Sequence, residues 1–263
     1  MLIAESGATK TEWRLINEQE VILAFRTLGI NPNVMAPELI QEELKAIRSK
    51  YFGQVNFDRL VFYGAGLKDS SMSALMKDML TQYFSGKEIE VFHDLQAAVH
   101  STGFEEGIVC ILGTGSNSCY YKDGEILDQR GGHGYLLGDE GSGADLGHAL
   151  VKGLLEGDLP DGVKSFIEFQ EGASVADIRL AIYRDPKPNV RIARFAKYLD
   201  EVIHYPEIQE LIKSRFLAFL DTTVCRYDNY NQLPVTFVGS ISFYFQKWLK
   251  KACEEGQISH ITI

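Results

Sequence analysis

The sequence predicts an α/β protein made of two related halves, and three observations carry that prediction. Each half opens with three short strands joined by tight turns. The first turn of each is glycine-rich, Glu5-Ser-Gly-Ala-Thr-Lys-Thr11 in one half and Gly113-Thr-Gly115 in the other. Each meander then gives way to helical segments interleaved with short apolar strands, the signature of a largely parallel continuation.

In the first half, residues 2–4, 12–16 and 20–26 read as the meander. Pro37–Tyr51 carries Leu39, Ile40, Leu44 and Ile47 at helical spacing. Arg59–Gly64 is a strand ending in a glycine turn, and Ser70–Phe84 is a helix capped by Ser70 or Ser71. Glu88–Phe92 is a short strand running into Asp94, and Leu95–His100 continues as a helix. The order is βββαβαβα. The second half repeats the opening with strands at 108–113, 117–121 and 125–130, the last two joined by a Lys122-Asp123-Gly124 hairpin turn. Helices are expected from Ser142 to Leu155 and at 174–184, 190–203 and 207–229. A strand at Pro234–Val238, a helix at Ser240–Glu254 and a strand at Ile258–Ile263 complete it. No low-complexity linker separates the halves, which places a compact hinge near residues 95–106 and domains at 1–104 and 105–263.

Composition narrows the function classes. The 263 residues are 45% hydrophobic and 24% charged, the balance of a globular protein with a large core. A net charge of −10 with no Lys/Arg block argues against a sequence-independent grip on nucleic acid or on an anionic membrane. The four cysteines form no CxxC pair and no metal spacing with histidine, so they read as reduced thiols. No apolar stretch approaches the ~20 residues of a membrane span, and no signal core follows the N-terminus. A cytoplasmic enzyme for a small ligand is the expectation.

The candidate chemistry sits at the strand ends. Glycine in the two turns lets backbone N–H groups approach an anion, and the Thr and Ser hydroxyls add donors, so two such turns suggest two halves closing on one polyphosphate. Asp94, at the C-terminal end of a strand, is placed to point into a ligand crevice and accept a proton from an attacking hydroxyl; the alternative is a plain helix cap. Gly131–Gly147 (GGHGYLLGDEGSGADLG) has seven glycines in seventeen residues. Asp139 there could hydrogen-bond sugar hydroxyls, and a capping role for Ser142 explains only part of the segment. His133 is a candidate pocket residue. Gly239-Ser240, between strand and helix, suits a ribose or adenine, and Asn31 or Asn33 could reach a substrate from the loop after the third strand.

Taken together, these segments resemble the acetate-kinase, sugar-kinase, chaperone and actin superfamily of two-domain ATPases. The resemblance is to its branch of N-acetylglucosamine kinases and BadF/BadG/BcrA/BcrD-type ATPases, most specifically at Cys110–Ser118 (CILGTGSNS) and Gly131–Ser142 (GGHGYLLGDEGS). It implies two ribonuclease H-like domains around an interdomain ATP cleft. It places Gly7, Thr9, Lys10, Thr11, Gly113, Thr114 and Gly115 near the phosphates, and Gly239 and Ser240 on the adenosine. It also implies Mg²⁺ held through Glu5, where the family more often has Asp, and Asp94 as the general base. Sugar contacts fall on Asn31, Ser116, Asn117, Gly132, His133 and Asp139, with His133 standing where relatives often carry a bulky aromatic. The implied protein is a cytoplasmic, homodimeric, ATP-dependent amino-sugar kinase with no nucleic-acid or membrane partner. The rivals are an ATPase that drives a conformational change in a partner enzyme and a non-catalytic sugar or nucleotide sensor.

Overall fold

The computed structural model describes every residue except 8, 19, 54, 56 and 85–87, so Ala8 of the first glycine turn lies outside the described residues. The chain forms two compact units, Met1–Ser101 and Thr102–Ile263.

The first unit is a five-stranded sheet. Its strands are β1 (Leu2–Ser6), β2 (Lys10–Asn17), β3 (Glu20–Leu28), β4 (Arg59–Gly64) and β5 (Glu88–His93), ordered β3-β2-β1-β4-β5. β1, β2 and β3 are antiparallel neighbours, while β4 and β5 run parallel to β1. Side chains alternate across a strand, so Leu2, Ala4, Trp13, Leu60 and Phe62 share one face. Helices α1 (Pro37–Ile47) and α2 (Ser70–Tyr83) complete that core with Ile40, Leu44, Met76 and Leu80. Each fully buried Leu or Phe contributes about 2 kcal/mol over its exposed state, so the meander is anchored well before any ligand binds. Helix α3 (Asp94–His100) lies on the opposite face, where His100 meets the rings of Tyr63 and Phe92. α1 continues as a π-helical turn, Arg48–Phe52, and α2 is capped by Asp69 rather than by Ser70 or Ser71.

The second unit repeats the sheet. β6 (Glu106–Leu112), β7 (Ser116–Lys122), β8 (Glu125–Gly131), β9 (Val235–Val238) and β10 (Ile261–Thr262) are ordered β10-β9-β6-β7-β8. Strand for strand, the directions are those of the first unit. The hairpin residues Asp123 and Gly124 both have positive φ, 52° and 80°, as a type I′ turn requires. After the 132–142 loop, the regular elements between β8 and β9 are all helical, the α-helices being α4 (Gly143–Glu156), α5 (Asp161–Glu171), α6 (Val175–Tyr183), α7 (Pro188–Ala193), α8 (Tyr198–Glu201) and α9 (Pro206–Thr222). α5 is an element the sequence reading does not assign. The expected helix at 190–203 is divided into α7, a 3₁₀ turn and α8, and the one at 207–229 ends at Thr222. Between β9 and β10 the expected single helix is two, α10 (Ser240–Tyr244) and α11 (Gln246–Glu255), and β10 is shorter than expected.

Candidate active site

The first glycine turn joins β1 to β2 and is closed by a hydrogen bond from Gly7 N–H to the Lys10 carbonyl, 2.9 Å. Ser6 and Thr11 face each other at its base with hydroxyls 2.7 Å apart. Ser6 Oγ donates to the Ile30 carbonyl and accepts the Ile30 N–H, and Thr11 donates to the Leu28 carbonyl. Both residues are fully buried. Thr11, expected beside the phosphates, is therefore turned into the sheet with its hydroxyl committed, and it braces the turn instead. Lys10 is exposed, with Nζ 2.8 Å from Glu12 Oε1; Arg26 reaches the same oxygen at 2.9 Å.

On the opposite face of β1 stands Glu5, directly across from Glu12. Its carboxyl is pushed above the usual range, first by loss of solvent and then by the charge of Glu12, with Asp94 adding to the push and Lys10 opposing it. The side chain still reaches water. Asp94 is the first residue of α3, one position after the cap His93. Its Oδ1 lies 2.9 Å from the Leu95 N–H and 3.0 Å from His93 Nδ1. The same amide is 3.3 Å from Nδ1. The nearer carboxylate takes the amide proton, and two acceptors do not rest at 3.0 Å without a proton between them, so Nδ1–H donates to Oδ1. Oδ2 is left for another partner.

The second turn, between β6 and β7, is closed by Gly113 N–H to the Gly115 carbonyl, 3.0 Å. The start of α4 seizes it from behind: Gly143 N–H donates to the Gly113 carbonyl at 2.8 Å and Ala144 N–H to that of Thr114 at 3.0 Å. With the carbonyls held there, the N–H groups of Thr114 and Gly115 have no intramolecular acceptor among the described residues. Such unpaired turn amides suit an anion. At Gly7 and Gly113 an added Cβ would meet nothing nearer than 3.8 and 4.0 Å, and neither has a positive φ. The fold does not need glycine at either place. The room over each turn fits an approaching phosphate.

The Gly131–Ser142 segment returns to the same turn. Asp139 sits in the left-handed region at φ 63°, and its Oδ1 accepts the Ser116 N–H at 3.2 Å. Its carboxyl is raised by burial first; the Ser116 amide and His133 pull it down, while Glu140 and Asp145 push it up. Ser142 caps α4 by accepting the Asp145 N–H. Asp145 Oδ2 in turn takes the Gly141 N–H and Arg215 Nε, both at 2.8 Å. Gly132, at φ 70°, is needed for a different reason: a Cβ there would stand 2.9 Å from the Asn117 amide. Asn117 Oδ1 accepts from Gln129 Nε2 and Ser118 N–H, which leaves its –NH₂ as the donor. His133 is exposed and packs beside Gly138.

In the first unit Asn31 and Asn33 both lie against Gly66. Asn33 donates one amide N–H to the Gly66 carbonyl, and Asn31 Oδ1 accepts the Asn33 backbone N–H, which leaves the Asn31 –NH₂ available to a ligand. Gly239, at φ 113°, is forced by contact: a Cβ would stand 2.3 Å from the Leu112 carbonyl. That contact brings Ser240, the first residue of α10, up to the strand leading into the second turn. Ser6, whose hydroxyl the sequence reading counts among the anion donors of the turn, is instead buried with that hydroxyl committed to Ile30, and sequence reasoning missed Gly66, His93 and Arg215. Among them only Gly66 carried a local signal, as part of the turn after β4.

Two sheets of this order, each with a glycine turn after its first strand, define the actin-like ATPase class, to which many sugar kinases belong. No family model matches the chain. It is 32% identical over 210 residues to the N-acetylmuramic acid/N-acetylglucosamine kinase of Clostridium acetobutylicum, covering 74% of this chain and 68% of that one. It also matches a solved structure from Porphyromonas gingivalis, proposed to be an N-acetylglucosamine kinase. That match has 34% identity and a TM-score of 0.91 over 100% of this chain and 94% of the other. A ROK-family glucokinase from Streptomyces griseus, solved with glucose and AMPPNP, shares the fold at 13% identity, with a TM-score of 0.58 over 98% and 90% of the chains. The chain belongs to the N-acetylglucosamine kinase-like family of sugar kinases.

Proposed function

We propose that the protein transfers the γ-phosphoryl group of ATP to a hydroxyl of an amino sugar, N-acetylglucosamine being the first choice. The observation that carries this reading is the pair of turn glycines, Gly7 and Gly113, whose open Cα positions the fold does not use. In this reading the turn amides and Thr9, Thr114 and Gly115 bind phosphate oxygens, and Lys10 exchanges its Glu12 contact for a phosphate. Gly239 and Ser240 contact the adenosine. Asn31, Ser116, Asn117, Gly132, His133 and Asp139 hold the sugar.

Asp94 orients the sugar hydroxyl through Oδ2 and takes its proton as the oxygen attacks phosphorus. His93 and the Leu95 amide fix the other carboxylate oxygen, so no rotation is required in the transition state. Mg²⁺ keeps several waters and takes one or two carboxylates plus phosphate, and the solvent-reaching Glu5 carboxyl is a donor that fits it. When bound, the ion neutralises phosphate charge. Positioning and charge neutralisation supply most of the rate.

The test is ADP release from Mg·ATP across a panel of hexoses and N-acetyl amino sugars, with Asp94→Asn beside the wild type. Sugar-dependent ADP that the variant abolishes supports the kinase. Sugar-independent hydrolysis would replace it with a partner-driving ATPase, and ligand binding without turnover with a sensor. By the same family resemblance the protein is proposed to be a homodimer, which sedimentation would check.

A further inference from the structure

Glu12 stands at the centre of a cross of charges on the face of the first sheet opposite its core. Across the strands it lies between Glu5 on β1 and Arg26 on β3, each its direct partner in the ladder. Along β2 it lies between Lys10 and Arg14, two residues away on either side and on the same face. Three cations converge on its carboxylate. Lys10 Nζ at 2.8 Å and Arg26 at 2.9 Å meet Oε1, and Arg14 is 3.7 Å from Oε2.

Stability does not account for an acid at this position. Like charges directly opposite each other weaken a sheet, and Glu12 faces Glu5. The three cations are each more than half exposed, and ion pairs of that kind contribute little. What Glu12 does is hold Lys10 away from the first glycine turn. The Lys10 backbone is fixed at that turn, its carbonyl accepting the Gly7 N–H and its ladder position paired with Leu28. The side chain is what can move, and Glu12 lies two residues farther down β2, roughly 6.5 Å along the strand. Bonding to Glu12 therefore draws Nζ back from the turn. When Lys10 leaves, Arg26 and Arg14 remain to neutralise the carboxylate and keep it on the sheet, in place to take Lys10 back.

We infer that Glu12 is a positioning residue that competes with the nucleotide phosphates for Lys10 and hastens the release of ADP. The inference rests on the kinase reading, in which Lys10 binds a phosphate. Lysine suits such an exchange, because its ammonium is a point charge on a flexible stem and not a bidentate fork. ADP brings less negative charge to the turn than ATP does, so the balance shifts toward Glu12 once the γ-phosphoryl group has been transferred.

The experiment measures Mg·ADP binding by calorimetry in the wild type, Glu12→Gln, Lys10→Met and the double variant, with circular dichroism and Tm to check folding. Product inhibition by ADP is measured beside it in the sugar-dependent assay. Glu12→Gln should tighten ADP about two- to fivefold, the range expected for freeing Lys10 from an exposed ion pair, and should lower the inhibition constant of ADP by a similar factor. Damage to the fold weakens binding, so a gain in affinity distinguishes competition from a structural role. In the Lys10→Met background the same substitution should do distinctly less. Unchanged ADP binding in Glu12→Gln overturns the inference. Weakened binding overturns it too, by making Glu12 a support for Lys10 and not its competitor. Equal tightening in both backgrounds also overturns it, since Glu12 would then act on the phosphates directly as a repelling charge. Wild type that binds neither Mg·ADP nor Mg·ATP removes the kinase reading and the inference together. Wild type that binds nucleotide and phosphorylates sugar, with no gain in Glu12→Gln, removes the inference alone.

Discussion

Asp139 lies flat against the Cα of Gly115, so close that a Cβ on that glycine would stand 2.7 Å from its Oδ2. The contact ties the proposed phosphate turn to the proposed sugar loop and makes the two glycines of that turn unequal. Gly113→Ala adds a methyl into open space, whereas Gly115→Ala drives one into a carboxylate. The expected outcomes separate accordingly. Gly115→Ala costs about 1–3 kcal/mol of stability from overpacking. Gly113→Ala leaves Tm within a degree or two of wild type and raises KM for ATP about tenfold or more by occupying the phosphate's space. Gly7→Ala behaves like Gly113→Ala. Thermal melts beside ATP kinetics decide it, and wild-type KM in Gly113→Ala would sink the cradle.

Asp139 also couples stability to pH. Burial raises its pKa, so above the ordinary value of 3.8 the folded chain holds a proton that the unfolded chain has released. Stability then falls as pH rises through that window, and at pH 7 the ionised carboxylate is a net penalty. Asp139→Asn removes the charge, keeps an Oδ1 for the Ser116 amide and tolerates φ 63°. The variant should melt higher than wild type at pH 7, with the gap closing toward pH 4, while sugar-dependent turnover falls. A variant equally stable at both pH values contradicts the burial argument.

The two meanders were legible in the sequence because their evidence is local: strand alternation, a glycine turn and an Asp-Gly hairpin each act within a few residues. The helical excursion was less so. α5 has Val163 and Ile167 in the core, but its cap position is Pro160, which offers no side-chain acceptor, and a glycine stands in its first turn. Ser240–Glu254 reads as one helix because nothing at Phe245, where φ is −105° and ψ 24°, signals a break. At the site, Asp94 and the glycine turns could be picked out by type and spacing. The bracing by Arg215 could not, because it acts across seventy residues of chain.

That bracing is itself testable. Arg215 Nε and the Gly141 N–H converge on one oxygen of Asp145, which is 15% exposed as a side chain. Arg215→Met leaves that carboxylate largely buried with only a backbone partner, at a cost of about 1–3 kcal/mol. The double variant Arg215→Met/Asp145→Asn should recover part of the loss, since a neutral side chain no longer needs the cation. Denaturant midpoints of the two variants measure this, and a double variant no better than the single one would show that the pair is not coupled.

The Asp94–His93 pair makes the sharpest demand on mechanism. Nδ1 sits 3.0 Å from Oδ1, the same oxygen that faces the Leu95 amide. If Asp94 is the base as proposed, loss of a group that holds only Oδ1 should appear in turnover more than in sugar affinity. Asp94→Asn is expected to lower kcat by roughly 10²–10⁴, the range of a general base. His93→Ala should lower kcat about tenfold, one hydrogen bond's worth, with KM for the sugar within twofold. His93→Asn should recover much of it, because a short side-chain amide can donate to Oδ1 as Nδ1–H does. If His93→Ala instead raises KM and leaves kcat alone, the imidazole belongs to the sugar site, and the carboxylate is held by the Leu95 amide alone.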